Sequence, residues 1–166
     1  MSRHIKFSSV GRDLTAEINN GSTYKTNRKI TSIAVHCTFS PQGRGDDAKT
    51  IDRWHKERWN SGIGYHYVVL EDGTIQKGRW VDYAGAHVKG YNSHSIGIVR
   101  IGGMGADGKA VHDATPEQYK AIERLVEVLL KEYQLGPKDV LGHTEYPNVN
   151  KSCPLMGMDK VRSALN

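Results

Sequence analysis

Residues 30–38, Ile-Thr-Ser-Ile-Ala-Val-His-Cys-Thr, form a run of apolar and β-branched side chains. Such a run is typical of a buried strand, and we predict that it lies centrally in a sheet. The strand brings His36 to its end. Because side chains alternate between the two faces of a strand, Cys37 is expected to point into the core if His36 faces a cleft.

Three further strands are predicted along the chain. Residues 65–70 form one, and the sequence Glu71-Asp72-Gly73 closes it with a hairpin turn. Residues 95–101 and 138–141 predict two more, and the last of them would deliver His143 at its end.

Two helices are predicted between and after these strands. Asp46 or Asp47 can cap the first helix. Four residues share its inner face at helical spacing: Ile51, Trp54, His55 and Arg58. The capping box Thr115-Pro116-Glu117-Gln118 opens a longer helix with an apolar stripe. Strands that alternate with helices predict an α/β fold, a single domain with a mixed central β-sheet flanked by helices.

The composition narrows the classes of partner. The chain has 166 residues, and 23 lysines and arginines against 18 acidic residues give a net charge of +5. That balance favours polyanionic surfaces, but the basic residues are scattered, which argues against nucleic acid. No stretch approaches the ~20 apolar residues of a membrane span, and the N-terminus lacks the apolar core of a signal peptide. We therefore expect no membrane insertion and no signal peptide.

A metal site is predicted from one short segment near the C-terminus, which carries His143, Lys151 and Cys153. With His36 it supplies two imidazoles and a thiolate, three good zinc ligands that leave one position open for water. Lys151 and Cys153 leave the same face of an extended segment, so a cation would lie where an oxyanion forms. Each residue taken alone is more often a solvated or core side chain. Together they predict one zinc ion per chain.

The chain contains two cysteines, Cys37 and Cys153, and a disulfide between them is the alternative to a metal site. A cytoplasmic chain is kept reduced, which favours free thiols. Cys37 would then be a buried apolar thiol, and Cys153 would be free to bind metal.

Seven segments occur in one order along the chain: Val35-His36-Cys37-Thr38, Trp54-His55-Lys56-Glu57, Gly64-Tyr65-His66-Tyr67, Asp72-Gly73-Thr74-Ile75, Gly90-Tyr91-Asn92, Ser95-Ile96-Gly97-Ile98 and Lys151-Ser152-Cys153-Pro154. In this order they resemble the zinc-dependent N-acetylmuramoyl-L-alanine amidases, specifically the lysozyme-type endolysins of short-tailed phages. Peptidoglycan recognition proteins are more distant relatives by the same pattern. The resemblance covers the chain from about Lys29 to the C-terminus.

The resemblance implies that His36, His143 and Cys153 are the zinc ligands and that Tyr65 and Lys151 are catalytic. A bound zinc ion activates water and polarises a carbonyl group. Lys151 would stabilise the charge that develops on the carbonyl oxygen. Tyr65 would hydrogen-bond the attacking water or relay a proton to the leaving amine.

Roles are also predicted for four more residues. Glu145 is the alternative to Tyr65 as general base, because it follows a predicted ligand closely. His87 and Asn92 match a segment that lines the substrate cleft in the relatives, so they are predicted substrate contacts. His66 is expected to face the opposite side of its strand from Tyr65 and to be structural.

The resemblance also implies an enzyme that hydrolyses the amide bond between N-acetylmuramic acid and L-alanine in bacterial peptidoglycan and so lyses the host cell. It implies a monomer that stays in the host cytoplasm until a holin-type lesion releases it. The alternatives are a peptidoglycan receptor without turnover, a regulator that binds the phage RNA polymerase, and a zinc peptidase that acts on the stem peptide.

The polar residues 1–28 lie ahead of this resemblance and contain the turn signal Asn19-Asn20-Gly21-Ser22. We expect them to form an N-terminal arm or a short hairpin draped on the domain, with residues 29–166 as the zinc amidase catalytic domain. The arm is expected to be dispensable for hydrolysis unless it supplies a strand to the sheet.

Overall fold

A computed structural model describes residues 10–22, 25–105, 107–109, 112–149 and 152–165. Six strands form one sheet in the order β1-β5-β4-β6-β2-β8, and β3 pairs with β7 in a small second sheet. The strands are β1 (Arg12–Asp13), β2 (Ser32–Cys37), β3 (Ser40–Pro41), β4 (Tyr67–Val69), β5 (Ile75–Lys77), β6 (Ser95–Arg100), β7 (Gly103–Met104) and β8 (Val140–Gly142).

The main sheet is mixed, as predicted. Strand β2 is an interior strand that pairs in parallel with β6 on one side and with β8 on the other. Strands β4 and β5 form the predicted antiparallel hairpin, and β4 also pairs in parallel with β6. Parallel neighbours place the carboxyl ends of β2, β6 and β8 at one edge of the sheet, which is where ligands bind in open α/β sheets.

Within the described residues, four α-helices accompany the sheet: α1 (Thr15–Asn19), α2 (Ala48–Trp59), α3 (Pro116–Tyr133) and α4 (Met158–Ser163). The predicted cap of α2 and the predicted capping box of α3 are both present, since Asp47 accepts from the Thr50 N–H and Thr115 accepts from the Gln118 N–H. Ile51 is buried on the inner face of α2 as predicted. The placement of Arg58 on that face is wrong, because its guanidinium stays in solvent over the ring of Trp59.

The core lies on both faces of the sheet. Helices α1, α3 and α4 pack on one face, against residues such as Ile33 and Val35 of β2. Helix α2 packs on the other face, against Val68 and Val99. Alternation along β2 therefore turns Ile33 and Val35 towards α3 and His36 towards the opposite face. The architecture is the predicted single α/β domain with helices on both faces of a mixed sheet.

The N-terminal segment enters this fold. Within residues 10–22, β1 pairs antiparallel with β5 at the sheet edge, and α1 follows it directly. Leu14 is 5% exposed and Ile18 is 1% exposed, and both belong to the main core cluster. An edge strand and a short helix thus stand where a draped hairpin was expected. The domain boundary after residue 28 itself stays a prediction.

Among the described residues, no helix combines the length and the hydropathy that crossing a bilayer requires.

Candidate metal centre

Strands β2 and β8 bring the two predicted histidine ligands together. Their parallel register ends with Val35 opposite Gly142, so His36 and His143 follow the last paired residues on neighbouring strands. The Nδ1 atoms of the two rings lie 3.1 Å apart. His36 is 1% exposed, whereas His143 is partly open to solvent.

Cys153 joins the histidines from a turn that precedes α4. The carbonyl oxygen of Cys153 accepts from the Thr144 N–H at 3.1 Å, which ties this turn to the residue after His143. The Sγ atom accepts a hydrogen bond from the backbone N–H of Cys37 at 3.0 Å. Both cysteines are free thiols in the structure.

The three candidate ligand atoms have the spacing that a metal ion needs. The ring nitrogens of His36 and His143 and the Sγ atom of Cys153 all lie within 4.8 Å of one another. Two nitrogens bound at 2.0–2.1 Å in tetrahedral geometry would lie about 3.3 Å apart, close to the observed separation. Imidazole and thiolate donors suit zinc among the common biological cations. These residues therefore fit a zinc ion.

The electrostatics of the site favour a neutral imidazole at His36. Burial holds the pKa of His36 well below its ordinary value, and the neighbouring His143 lowers it further. The pKa of Cys153 is raised by its hydrogen bond with the Cys37 thiol and by burial. A bound cation would have to displace the thiol proton, as is usual for a cysteine ligand.

Tyr65 lies on the same wall as His36. The two ring centroids are 5.1 Å apart, and the Tyr65 ring is half-buried just ahead of β4. Burial raises the pKa of Tyr65, and the thiols of Cys153 and Cys37 add to the effect. Its phenol therefore stays protonated at neutral pH and is a hydrogen-bond donor in the site.

Lys151, the second predicted catalytic residue, lies outside the described residues. Its role stays a prediction from the sequence.

Glu145, the alternative general base, is engaged elsewhere. Its two carboxylate oxygens accept from the guanidinium of Arg162 at 2.9 Å each, and one also accepts from the Gly142 N–H at 2.8 Å. The hydrogen bond with Arg162 lowers the pKa of Glu145. A carboxylate held in this way is a weak base, which argues against Glu145 as the group that accepts a proton.

His87 and Asn92, the predicted substrate contacts, take part in the wall of the site. The Nδ1 atom of His87 lies 2.9 Å from Nε2 of His36. The side-chain oxygen of Asn92 accepts from the backbone N–H groups of His87 and Val88, both at 2.9 Å. Burial holds the pKa of His87 well below its ordinary value. Contact with substrate stays a prediction for both residues.

Sequence analysis missed Arg100, which is fully buried at the end of β6. Its guanidinium donates to the carbonyl oxygens of Pro154 at 3.2 Å and Leu155 at 2.8 Å, so it holds the turn that carries Cys153. A third hydrogen bond reaches the carbonyl oxygen of His112 at 2.8 Å. The signal in the sequence was an arginine inside an otherwise apolar strand, since a buried charge needs partners.

A cleft of about 500 Å³ opens beside His143. Lys89, Tyr91 and Val149 line it, together with Pro147. The ring of Tyr91 packs on the ring of Tyr146 with centroids 4.9 Å apart. The cleft gives a bound molecule access to the histidine from solvent.

Comparison with known proteins shows the family of the chain. The family model described as N-acetylmuramoyl-L-alanine amidase matches residues 26–155. The endolysin of Klebsiella phage KP32 is 38% identical over 130 residues, which cover 78% of this chain and 83% of that protein. The amidase endolysin LysCS from Clostridium intestinale URNW superposes with a TM-score of 0.69 at 27% identity, over 82% of this chain and 84% of that chain. Drosophila PGRP-LB superposes with a TM-score of 0.62 at 25% identity, over 81% and 79%.

Proposed function

The chain belongs to the N-acetylmuramoyl-L-alanine amidase family, and on this basis we propose that it is a zinc-dependent phage endolysin. It hydrolyses the amide bond between N-acetylmuramic acid and L-alanine in bacterial peptidoglycan, with one zinc ion held by His36, His143 and Cys153. The observation that carries the proposal is the convergence of these three ligand atoms within 4.8 Å beside an open cleft.

Each residue of the site has a separate role in the proposed reaction. When bound, zinc supplies an activated water and polarises the scissile carbonyl. Tyr65 is a protonated phenol against the His36 ring, so it donates a hydrogen bond to an oxygen that gains charge. Lys151, by its place in the sequence two residues before Cys153, adds a positive charge to the same task. The cleft lined by Lys89 and Tyr91 receives the glycan or the stem peptide.

The other predicted roles extend this proposal. Peptidoglycan recognition without turnover is disfavoured by the presence of Cys153 beside the two histidines. Release to the wall through a holin-type lesion follows from the likeness to phage endolysins. A monomeric state and binding to the phage RNA polymerase stay predictions from the sequence.

Analysis of a peptidoglycan digest tests the proposal. The zinc-loaded protein should release new L-alanine amino termini from purified wall without new reducing sugars. Other new amino termini would indicate a peptidase, and new reducing sugars would indicate a glycosidase. Either result would contradict the proposed function.

A further inference from the structure

We infer that His87 is a positioning residue, which holds His36 in the one tautomer that can bind zinc. The inference rests on the proposed function, because it concerns the same metal centre. It assigns to His87 a task that acts through His36 and requires no contact with substrate.

The assignment starts from a hydrogen-bond chain whose far end is fixed. The carbonyl oxygen of Tyr91 can only accept, so the Ser95 hydroxyl, at 2.8 Å, must donate to it. A hydroxyl has a single proton. Towards the Nε2 atom of His87, 3.3 Å away, the Ser95 oxygen can therefore only accept. It follows that the proton of the neutral His87 ring is on Nε2.

The same logic passes from His87 to His36. A neutral imidazole with its proton on Nε2 presents a lone pair at Nδ1. The Nδ1 atom of His87 lies 2.9 Å from Nε2 of His36, so Nε2 of His36 must carry the proton. The Nδ1 atom of His36 is then left with a lone pair, and this is the atom that faces His143 at 3.1 Å. This series of hydrogen bonds thus selects the tautomer of His36 whose Nδ1 atom can bind zinc, before any metal is bound.

The fold holds the His87 ring tightly in this orientation. A Cβ atom on Gly85 would come within 2.5 Å of the ring, and a Cβ atom on Gly97 within 2.8 Å. The ring therefore fits only because both positions are glycine. The backbone of His87 is also held, because the side-chain oxygen of Asn92 accepts from the N–H groups of His87 and Val88. These hydrogen bonds fix the position from which the His87 side chain extends. Outer groups that orient a metal-binding histidine in this way typically contribute 10–100-fold to metal affinity.

Two substitutions of His87 distinguish a residue that orients His36 by hydrogen bonds from one that only fills space. His87→Gln keeps an amide oxygen that can accept from His36 and an amide N–H that can donate to Ser95. His87→Phe keeps a ring of similar shape but removes both hydrogen bonds. If His87 positions His36, the glutamine variant should bind zinc with nearly the wild-type affinity, and the phenylalanine variant about 10–100-fold more weakly.

His66 provides a matched control. It is a fully buried histidine, and its ring lies 5.8 Å from that of His87, which is partly buried. Its nitrogens bond to backbone groups, accepting from the Gly97 N–H at 3.0 Å and donating to the Tyr83 carbonyl oxygen at 2.8 Å. His66→Gln should therefore reduce stability and leave zinc affinity unchanged.

The experiment is a competition titration of each full-length protein with zinc alone against a chelating indicator. Nitrogen-15 NMR of the metal-free wild type should also find the ring protons of His36 and His87 on Nε2. The inference would be overturned if His87→Phe bound zinc with the wild-type affinity, or if His66→Gln lost as much zinc affinity as His87→Phe. A proton on Nδ1 of His36 in the NMR spectrum would overturn it as well. If the wild type bound no zinc, the proposed function would be wrong, whereas the NMR result would still decide the tautomers.

Discussion

Tyr65 has only one chemical state in which it can act. Burial raises its pKa, so the phenol is protonated at neutral pH. It can donate a hydrogen bond to a developing oxyanion, but it is not available as a phenolate base. Its contribution is therefore expected to be electrostatic.

Tyr65→Phe should lower the rate of wall cleavage by about 10²–10³-fold, the usual cost of one oxyanion-stabilising donor. Zinc content and thermal stability should stay at the wild-type level, because the ring is retained. The measurement is the initial rate of release of L-alanine amino termini at equal zinc loading. Tyr133→Phe, at the end of α3 on the opposite face of the sheet, is the control and should cleave normally. A Tyr65→Phe enzyme with the wild-type rate would remove Tyr65 from the mechanism.

The candidate ligands could be named from single residues, whereas the groups that contact them could not. His36, His143 and Cys153 are residue types with few common roles together, so their chemistry is visible in the sequence. The position of the His87 ring depends on the space left by Gly85 and Gly97, which only the folded chain reveals. The hydrogen bond from the Cys37 backbone to Cys153 has no side-chain signal at all.

Between elements, Glu145 and Arg162 link the turn after β8 to helix α4. Arg162 also donates to the carbonyl oxygen of Val140 at 2.8 Å, so one guanidinium connects the strand, the turn and the helix. We therefore expect Glu145 to support the His143 turn.

Glu145→Gln should leave wall cleavage intact and lower the free energy of unfolding by about 1 kcal/mol or less, as expected for a partly exposed ion pair. The folded-state pKa of Glu145 is lowered by Arg162, so its stabilisation is present above the unfolded pKa of about 4.3 and is lost as the pH falls through the folded value. The free energies of unfolding of the two proteins in urea should therefore differ at neutral pH and converge once the pH has fallen below the folded-state pKa of Glu145. Loss of cleavage with an intact fold would restore Glu145 as the base.

The elements themselves followed closely from local patterns. Capping boxes at Asp47 and Thr115 and the hairpin turn at Gly73 fixed where the helices and the hairpin begin or turn. The parallel register between β2 and β8, which aligns His36 with His143, joins residues more than a hundred positions apart. Local patterns carry no information on such pairings, so the meeting of these histidines came from the family resemblance.

For the molecule as a whole, the N-terminal segment is the part that the sequence described least well. Its polar composition suggested an arm, but two apolar residues, Leu14 and Ile18, are buried in the main core. A segment with few apolar residues can still join the fold when an edge strand such as β1 forms backbone hydrogen bonds with the sheet.

Ile18→Ala should lower the free energy of unfolding by about 2–5 kcal/mol, as for other fully buried aliphatic side chains. Deletion of residues 1–26 should be more destabilising, because it also removes β1. Ala16→Ser, on the exposed side of α1, is the control and should change little. Urea unfolding measures the free energy of unfolding of all three variants. A deletion variant as stable as the wild type would show that residues 10–22 are dispensable and would support the predicted boundary after residue 28.

The most direct measurement of the zinc centre compares the two cysteines. Zinc binding by wild type, Cys153→Ser and Cys37→Ser should be titrated under reducing conditions. We predict one zinc ion per chain for the wild type and for Cys37→Ser, whose backbone N–H can still donate to Cys153. Cys153→Ser should lose affinity by more than the ~10–100-fold that outer groups contribute, together with wall cleavage. Equal behaviour of the two variants, or full zinc affinity in Cys153→Ser, would contradict a centre built from His36, His143 and Cys153.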